Sequence, residues 1–207
     1  MNRFVLVLSA VLALGSALSL SGCLPLAATG MVAGAMSVSD RRSIGAQAED
    51  TAIEFKASTQ LRDAVKFSGG ISTTSYNRKV LLTGQVGSEE DRRTAERIVA
   101  KIDNVRSVEN ALQVAGQPAL SASASDTAVT ASVKAALLEN SDTSAHNVKV
   151  VTEAGVVYLM GIATRKESER AAQVASRVRG VQKVVTVFEV VSDEELERLL
   201  KAQGRSK

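Results

Sequence analysis

Cys23 and His146 are the only thiol and the only imidazole in a chain of 207 residues. Neither stands in a cluster of acidic or sulfur ligands, which leaves too few soft donors for a zinc or iron–sulfur site. His146 falls in a polar stretch between Asn140-Ser141-Asp142 and an apolar run that begins at Val148. A loop imidazole is expected there, with no free Cys to activate, and no Ser-His-acid triad can be read. Glu89-Glu90-Asp91 sets three carboxylates in succession. Paired carboxylates can serve acid–base chemistry, but consecutive acids at the start of a helical pattern complement the positive end of the helix dipole. Gly69-Gly70 and the stretch from Gly84 to Gly87 lack the spacing and the Lys of a phosphate loop and read as turns. Arg92-Arg93 and Arg165-Lys166 could touch phosphates, although their position at helix starts suits a solvated face. The expectation is a protein with no catalytic residues, no metal and no cofactor.

Composition narrows the partners. Lys and Arg number 25 against 22 Asp and Glu, a net charge of +3, so no large single-sign field exists to steer a nucleic acid. With 45% hydrophobic and 23% charged residues the chain is apolar enough to fold. Aromatics are 3% and Trp is absent, which disfavours base-stacking platforms and carbohydrate clefts, both of which depend on exposed rings.

The first 22 residues read as a secretion signal. Asn2 and Arg3 form a short polar, positive start, and Phe4 to Leu20 is an apolar run that ends in Leu20-Ser21-Gly22-Cys23. This ending resembles the bacterial lipobox, in which the thiol is diacylated and the peptide is cut just before it. The resemblance implies that Cys23 is the lipidation site, carrying acyl chains such as palmitate that hold the protein on a bilayer without a spanning helix. Leu24 follows, where an Asp would imply retention in the inner membrane, so the same resemblance implies sorting to the outer membrane. Residues 23–49 are rich in Ala, Gly, Ser and Met with no sustained period, and read as an acylated tether. The Gly30/Gly34 spacing within this segment is expected by chance.

The remainder is a repeat. Asp50-Thr51-Ala52-Ile53 recurs as Asp126-Thr127-Ala128-Val129, and Leu82-Thr83-Gly84 as Leu159-Met160-Gly161. The pattern predicts domains over residues 50–114 and 126–191, a linker over 115–125 marked by Pro118, and a C-terminal helix and tail over 192–207. Each unit reads helix, strand, strand, helix, strand. In the first copy Ile53, Ala57, Leu61 and Val65 form a core stripe. Ile71 to Tyr76 and Lys79 to Val86 form a hairpin around Asn77-Arg78, and Ser88 caps a second helix. A run from Ser107 to Val114 returns parallel to the hairpin. The expected core is Ile53, Leu61, Leu82, Ile98 and Val105, with Val129, Leu137, Leu159, Val174 and Val181 as counterparts. The fold class is α+β: two tandem αββαβ units, each a three-stranded mixed sheet with two helices on one face.

Strands ending in Gly84-Gln85-Val86 and Gly161-Ile162-Ala163, a charged turn, an Ala-rich helix, and Asn104-Val105 or Gly180-Val181 before the last strand resemble the BON domain. With the lipobox and the segment Asp40-Arg41-Arg42-Ser43-Ile44-Gly45-Ala46-Gln47, the chain is similar to dual-BON-domain outer-membrane lipoproteins of Gram-negative bacteria. The resemblance implies binding of anionic phospholipid from the periplasmic side and support of outer-membrane integrity, sometimes at division sites, without catalysis.

The two first helices differ in a way that bears on this. Val129, Val133, Ala136 and Leu137 match the core stripe, while Ala128, Ala131, Ala135 and Leu138 form a second apolar stripe on the opposite side, with Lys134 at its margin. In the first copy the corresponding outer positions are Ala52, Phe55, Thr59 and Arg62 among charged neighbours. A helix that is apolar on two sides needs a second partner. The candidates are the first domain, another protein and the headgroup region of the membrane; the residues alone leave packing against the first domain and contact with lipid equally open, and the resemblance favours lipid. An adaptor for envelope assembly proteins is the alternative function.

Overall fold

The computed structural model describes residues 40–65, 70–114, 120–140 and 143–204. The signal segment, Cys23, Leu24 and the Gly30/Gly34 pair lie outside these residues. The first unit comprises α1 (Ile44–Ala64), β1 (Ile71–Tyr76), β2 (Lys79–Val86), α2 (Glu89–Ala100), β3 (Ser107–Asn110) and β4 (Gln113–Val114). The second comprises α3 (Leu120–Leu138), β5 (Lys149–Glu153), β6 (Val156–Met160), β7 (Ile162–Thr164), α4 (Arg165–Ala175), β8 (Lys183–Thr186) and β9 (Glu189–Val191), followed by α5 (Asp193–Ala202).

The first hairpin forms with the bounds the sequence predicts, and the second repeats it. Asn77 and Arg78 take positive φ, as do Ala154 and Gly155, the conformation that lets a two-residue turn follow the twist of its strands. β1 pairs antiparallel with β2, which pairs parallel with β3 and then β4. β5–β6–β8 and β7–β9 repeat this arrangement. The central strand bends at Gly84 and Gly161. A Cβ on Gly84 would stand 2.4 Å from the Gly70 carbonyl oxygen, and one on Gly161 would stand 2.4 Å from the Asn147 carbonyl oxygen. These glycines therefore occupy the same structural position, and each permits a backbone approach that no other residue allows. Gly84→Ala and Gly161→Ala are each expected to cost about 1–3 kcal/mol through backbone displacement. Thermal unfolding checks this, and a midpoint unchanged in both variants would remove the argument.

Side chains along the central strands alternate between two cores. Val80, Leu82 and Val86 point to the helices of the first unit, where they pack with Ile53, Ala57, Leu61, Ala95 and Val99. Val157 and Leu159 do the same in the second unit, against Val129, Val133, Leu137, Ala171 and Ala175. Of the expected core, Ile98, Val105, Val174 and Val181 are partly buried at the margins, and the centre of α2 is held by Ala95 and Val99. The intervening residues build a third core that belongs to neither unit. Tyr76 and Leu81 of the first sheet meet Tyr158, Met160, Ile162, Val187 and Val191 of the second, and Leu196 of α5 closes the cluster. The two units thus pack through the helix-free faces of their sheets.

Two expectations need correction. The segment read as tether is helical from Ile44, because Ser43 accepts a hydrogen bond from the Ala46 N–H at 3.1 Å and starts α1. The segment read as linker is helical from Leu120, since an uncharged Ala/Ser run permits the helix to begin early. Ile44 and Leu120 are 76 residues apart, the spacing of the repeat itself.

Candidate functional site

The repeated Asp-Thr-Ala sequence explains how each first helix is fixed to its sheet. Asp50 in α1 accepts the backbone N–H groups of Asn77 and Arg78, both at 2.7 Å. Asp126 in α3 accepts those of Ala154 and Gly155 at 2.7 and 2.9 Å. One carboxylate thus holds each hairpin turn against its helix. This connection sets the rotation of α3: Val129, Val133 and Leu137 are buried in the core, while Ala128, Ala131, Lys134, Ala135 and Leu138 are all exposed. Leu138 is 56% exposed, a large value for an apolar side chain in the body of a folded unit.

The first domain does not cover this stripe. It meets the second domain through the shared sheet core and through polar links. Asn77 Nδ2 donates to Glu189 Oε2 at 2.6 Å, Lys79 Nζ to the Phe188 carbonyl at 3.2 Å, and Lys149 Nζ to Glu54 Oε1 at 3.1 Å. Of the occupants left open by the sequence, the first domain packs through the sheets, and the α3 stripe remains uncovered among the described residues.

A second set of contacts, whose partners the sequence does not name, joins the two domains. The segment before α1 is a clamp. Arg41, 7% exposed, donates to Glu167 Oε1 and Oε2 at 2.6 and 2.8 Å and to the Ile162 carbonyl at 2.7 Å. Its Nη2 also donates to Ser144 Oγ at 3.3 Å, in the connection that follows α3. Arg42 pairs with Asp40 and Asp50 at 2.7 and 2.8 Å and lies over the Tyr76 ring, 4.0 Å from its centroid. Burial pushes the Glu167 carboxyl up, but hydrogen bonds from Arg41, Ser144 and the Thr164 N–H outweigh it and hold the pKa at about 2. Gln203 at the end of α5 donates to the Arg41 carbonyl at 2.7 Å. The chain therefore enters the folded body at the seam between the domains, beside the C-terminal end of α3. In the sequence this segment carries part of the family resemblance, but nothing in its residue types or spacing names the distant partners that Arg41 and Arg42 bind.

The residues considered for catalysis stay separate. His146 lies in a single 3-10 turn, Ala145–Asn147. Glu89, Glu90 and Asp91 form the first turn of α2, where Glu89 pairs with Arg92 at 3.0 Å. Among the described residues no group of three or more His, Cys, Asp or Glu side chains could hold a metal ion, and no helix is long and apolar enough to cross a membrane.

Comparison with known proteins accords with this architecture. The BON domain profile matches twice, over residues 49–116 and 125–192. The chain is 33% identical over 177 residues to the outer membrane lipoprotein DolP of Haemophilus influenzae, a match covering 84% of this chain and 92% of that protein. It is 34% identical over 154 residues to a 21 kDa hemolysin of Actinobacillus pleuropneumoniae, covering 73% and 79% of the two chains. It is also 33% identical over 151 residues to the osmotically inducible protein Y of Escherichia coli, covering 70% and 75%.

Proposed function

Since this chain belongs to the BON-domain family and carries two copies of that domain, we propose that it is an outer-membrane lipoprotein. In this reading it is held at the periplasmic face by acyl chains on Cys23, binds anionic phospholipid through α3, supports the integrity of the membrane, and is not an enzyme. The observation that carries the reading is the exposed stripe Ala128, Ala131, Ala135 and Leu138, with Lys134 at its edge, on a helix whose other side is buried.

The chemistry suits a bilayer surface. An apolar stripe of small side chains sinks shallowly into the headgroup region, and a flanking Lys meets the negative surface potential. Three Ala and one Leu bury little area, so the helix alone binds weakly. A tethered acyl group raises its local concentration and supplies the rest. The Arg41 contacts with Ser144 and Glu167 support this arrangement, because they join the anchored end of the chain to the connection after α3.

Ala135→Glu combined with Leu138→Glu tests the site. Both positions are exposed, so the fold is expected to keep its circular dichroism and thermal midpoint while binding to anionic micelles falls at least tenfold. Undiminished micelle binding would reject α3 as the lipid contact and favour an adaptor that works through protein partners.

A further inference from the structure

The two margins of the α3 stripe are both basic, and only one of them lies on the helix. Lys134 follows Thr130 by one turn, and the Thr130 hydroxyl donates to Thr152 of β5 at 2.7 Å, so Lys134 marks the side of the stripe toward β5. The other side is bordered by the connection from α4 to β8. A Cβ on Gly180 would stand 2.8 Å from Val129 Cγ2. The backbone of this connection therefore lies directly on α3, one residue along the chain from Ala128. It carries Arg177 and Arg179, both exposed, and neither guanidinium has a hydrogen bond or an ion pair among the described residues.

The first domain provides the contrast. The equivalent positions, 76 residues earlier, are Lys101, Asp103 and Asn104. Their charges cancel, and the Asn104 amide donates to Glu49 of α1 at 2.9 Å, which occupies the connection with its own helix. In the second domain the acid is replaced by Arg179 and the amide by a glycine with φ +94°. The result is a net charge of two, with neither guanidinium paired among the described residues, beside an uncovered apolar stripe, against a net charge of one in the first domain's connection, where Arg106 is taken up by Glu189 at 3.6 Å and the helix has charged neighbours.

We infer that Arg177 and Arg179 form a headgroup subsite, taking the phosphodiester of an anionic phospholipid in the bilayer that the α3 stripe touches. This rests on the lipid reading of α3 and extends it: the stripe provides depth, while the two guanidiniums and Lys134 make the contact selective for negative lipid. Guanidinium suits the role because its planar fork can give two parallel hydrogen bonds to one phosphate.

The test uses the mature chain with Cys23→Ser, so that only the protein's own affinity is read. It is titrated with vesicles of phosphatidylglycerol mixed with phosphatidylcholine, and with phosphatidylcholine alone. Each cation near an anionic surface contributes roughly fivefold, about 1 kcal/mol. Arg177→Gln with Arg179→Gln is therefore expected to bind the anionic vesicles roughly thirtyfold more weakly at low salt, with the difference closing at high salt. Binding to phosphatidylcholine should not move, Lys101→Gln should match the parent, and Arg177→Lys with Arg179→Lys should recover most of the affinity. Unchanged anionic binding, or an equal loss from Lys101→Gln, would overturn the subsite. Inorganic phosphate alone should leave the guanidinium NMR signals in place, and a saturable shift would overturn the assignment to a bilayer lipid. If Ala135→Glu/Leu138→Glu still binds while the Gln pair does not, the stripe fails and the subsite stands. The reverse pattern rejects the subsite and keeps the stripe.

Discussion

Asp50→Ala is expected to destabilise the protein by about 3–5 kcal/mol, well beyond the effect of Asp126→Ala, although the two residues occupy the same place in the repeat. Asp50 is 3% exposed. Its carboxylate accepts from the N–H groups of Asn77 and Arg78, from Ser75 Oγ at 2.7 Å and from Arg42 at 2.8 Å. Removing it leaves the two turn N–H groups and the Ser75 hydroxyl without this acceptor and strips Nη1 of Arg42 of its partner, although Asp40 still holds that guanidinium, and each neutral orphan costs about 1–3 kcal/mol. It also releases a turn in which two non-glycine residues are held at φ 49° and 67°. Asp126 is partly buried, receives the two turn N–H groups, and holds a turn whose second residue is the permissive Gly155. Losses of about 1–2 kcal/mol are expected there. Urea unfolding of both variants decides the matter, and equal losses would show that the Arg42 and Ser75 contacts add nothing.

Cys23→Ala is expected to deplete the outer-membrane fraction of the protein on the order of a hundredfold or more while leaving its circular dichroism unchanged. Each buried methylene of an acyl chain contributes about 0.8 kcal/mol, and confinement of a weak site by a tether commonly adds about two to four decades of avidity. The α3 stripe has no comparable apolar area to replace that anchor. Cys23 makes none of the contacts that hold the described residues 40–204 together. Protein that still sediments with membranes after a salt wash would mean that the attachment lies elsewhere.

Local signals in this chain were readable because they depend on near neighbours. Asn77-Arg78 between two β-rich runs gave the hairpin with its observed bounds, and Ser88 with three following acids gave the start of α2. The fold class followed from those elements and the repeat. Interdomain packing was harder to read, because it depends on which face of a strand is covered. Val156-Val157-Tyr158-Leu159-Met160 is apolar at every position, the pattern of a strand buried on both sides, and this was the available sign that the sheets and not α3 would join the domains. The stripe on α3 was legible from period alone. The clamp of Arg41 and Arg42 was not, since its partners lie up to 126 positions away. The basic connection at Arg177 and Arg179 lay beyond periodicity too, because its meaning depends on Gly180 resting on Val129.

The clamp also has a mechanical meaning. Seventeen residue steps separate Cys23, the proposed anchor, from Asp40, a chain length of at most about 60 Å. Any pull along it arrives at a point where adjacent residues grip different domains, Arg41 through Glu167 and Arg42 through Asp50. The load is divided between the two bodies at once and does not peel α1 from its sheet one turn at a time. In the proposed anchoring at Cys23, a force that reaches α1 from the N-terminal side must first act on two ion pairs, one to each domain.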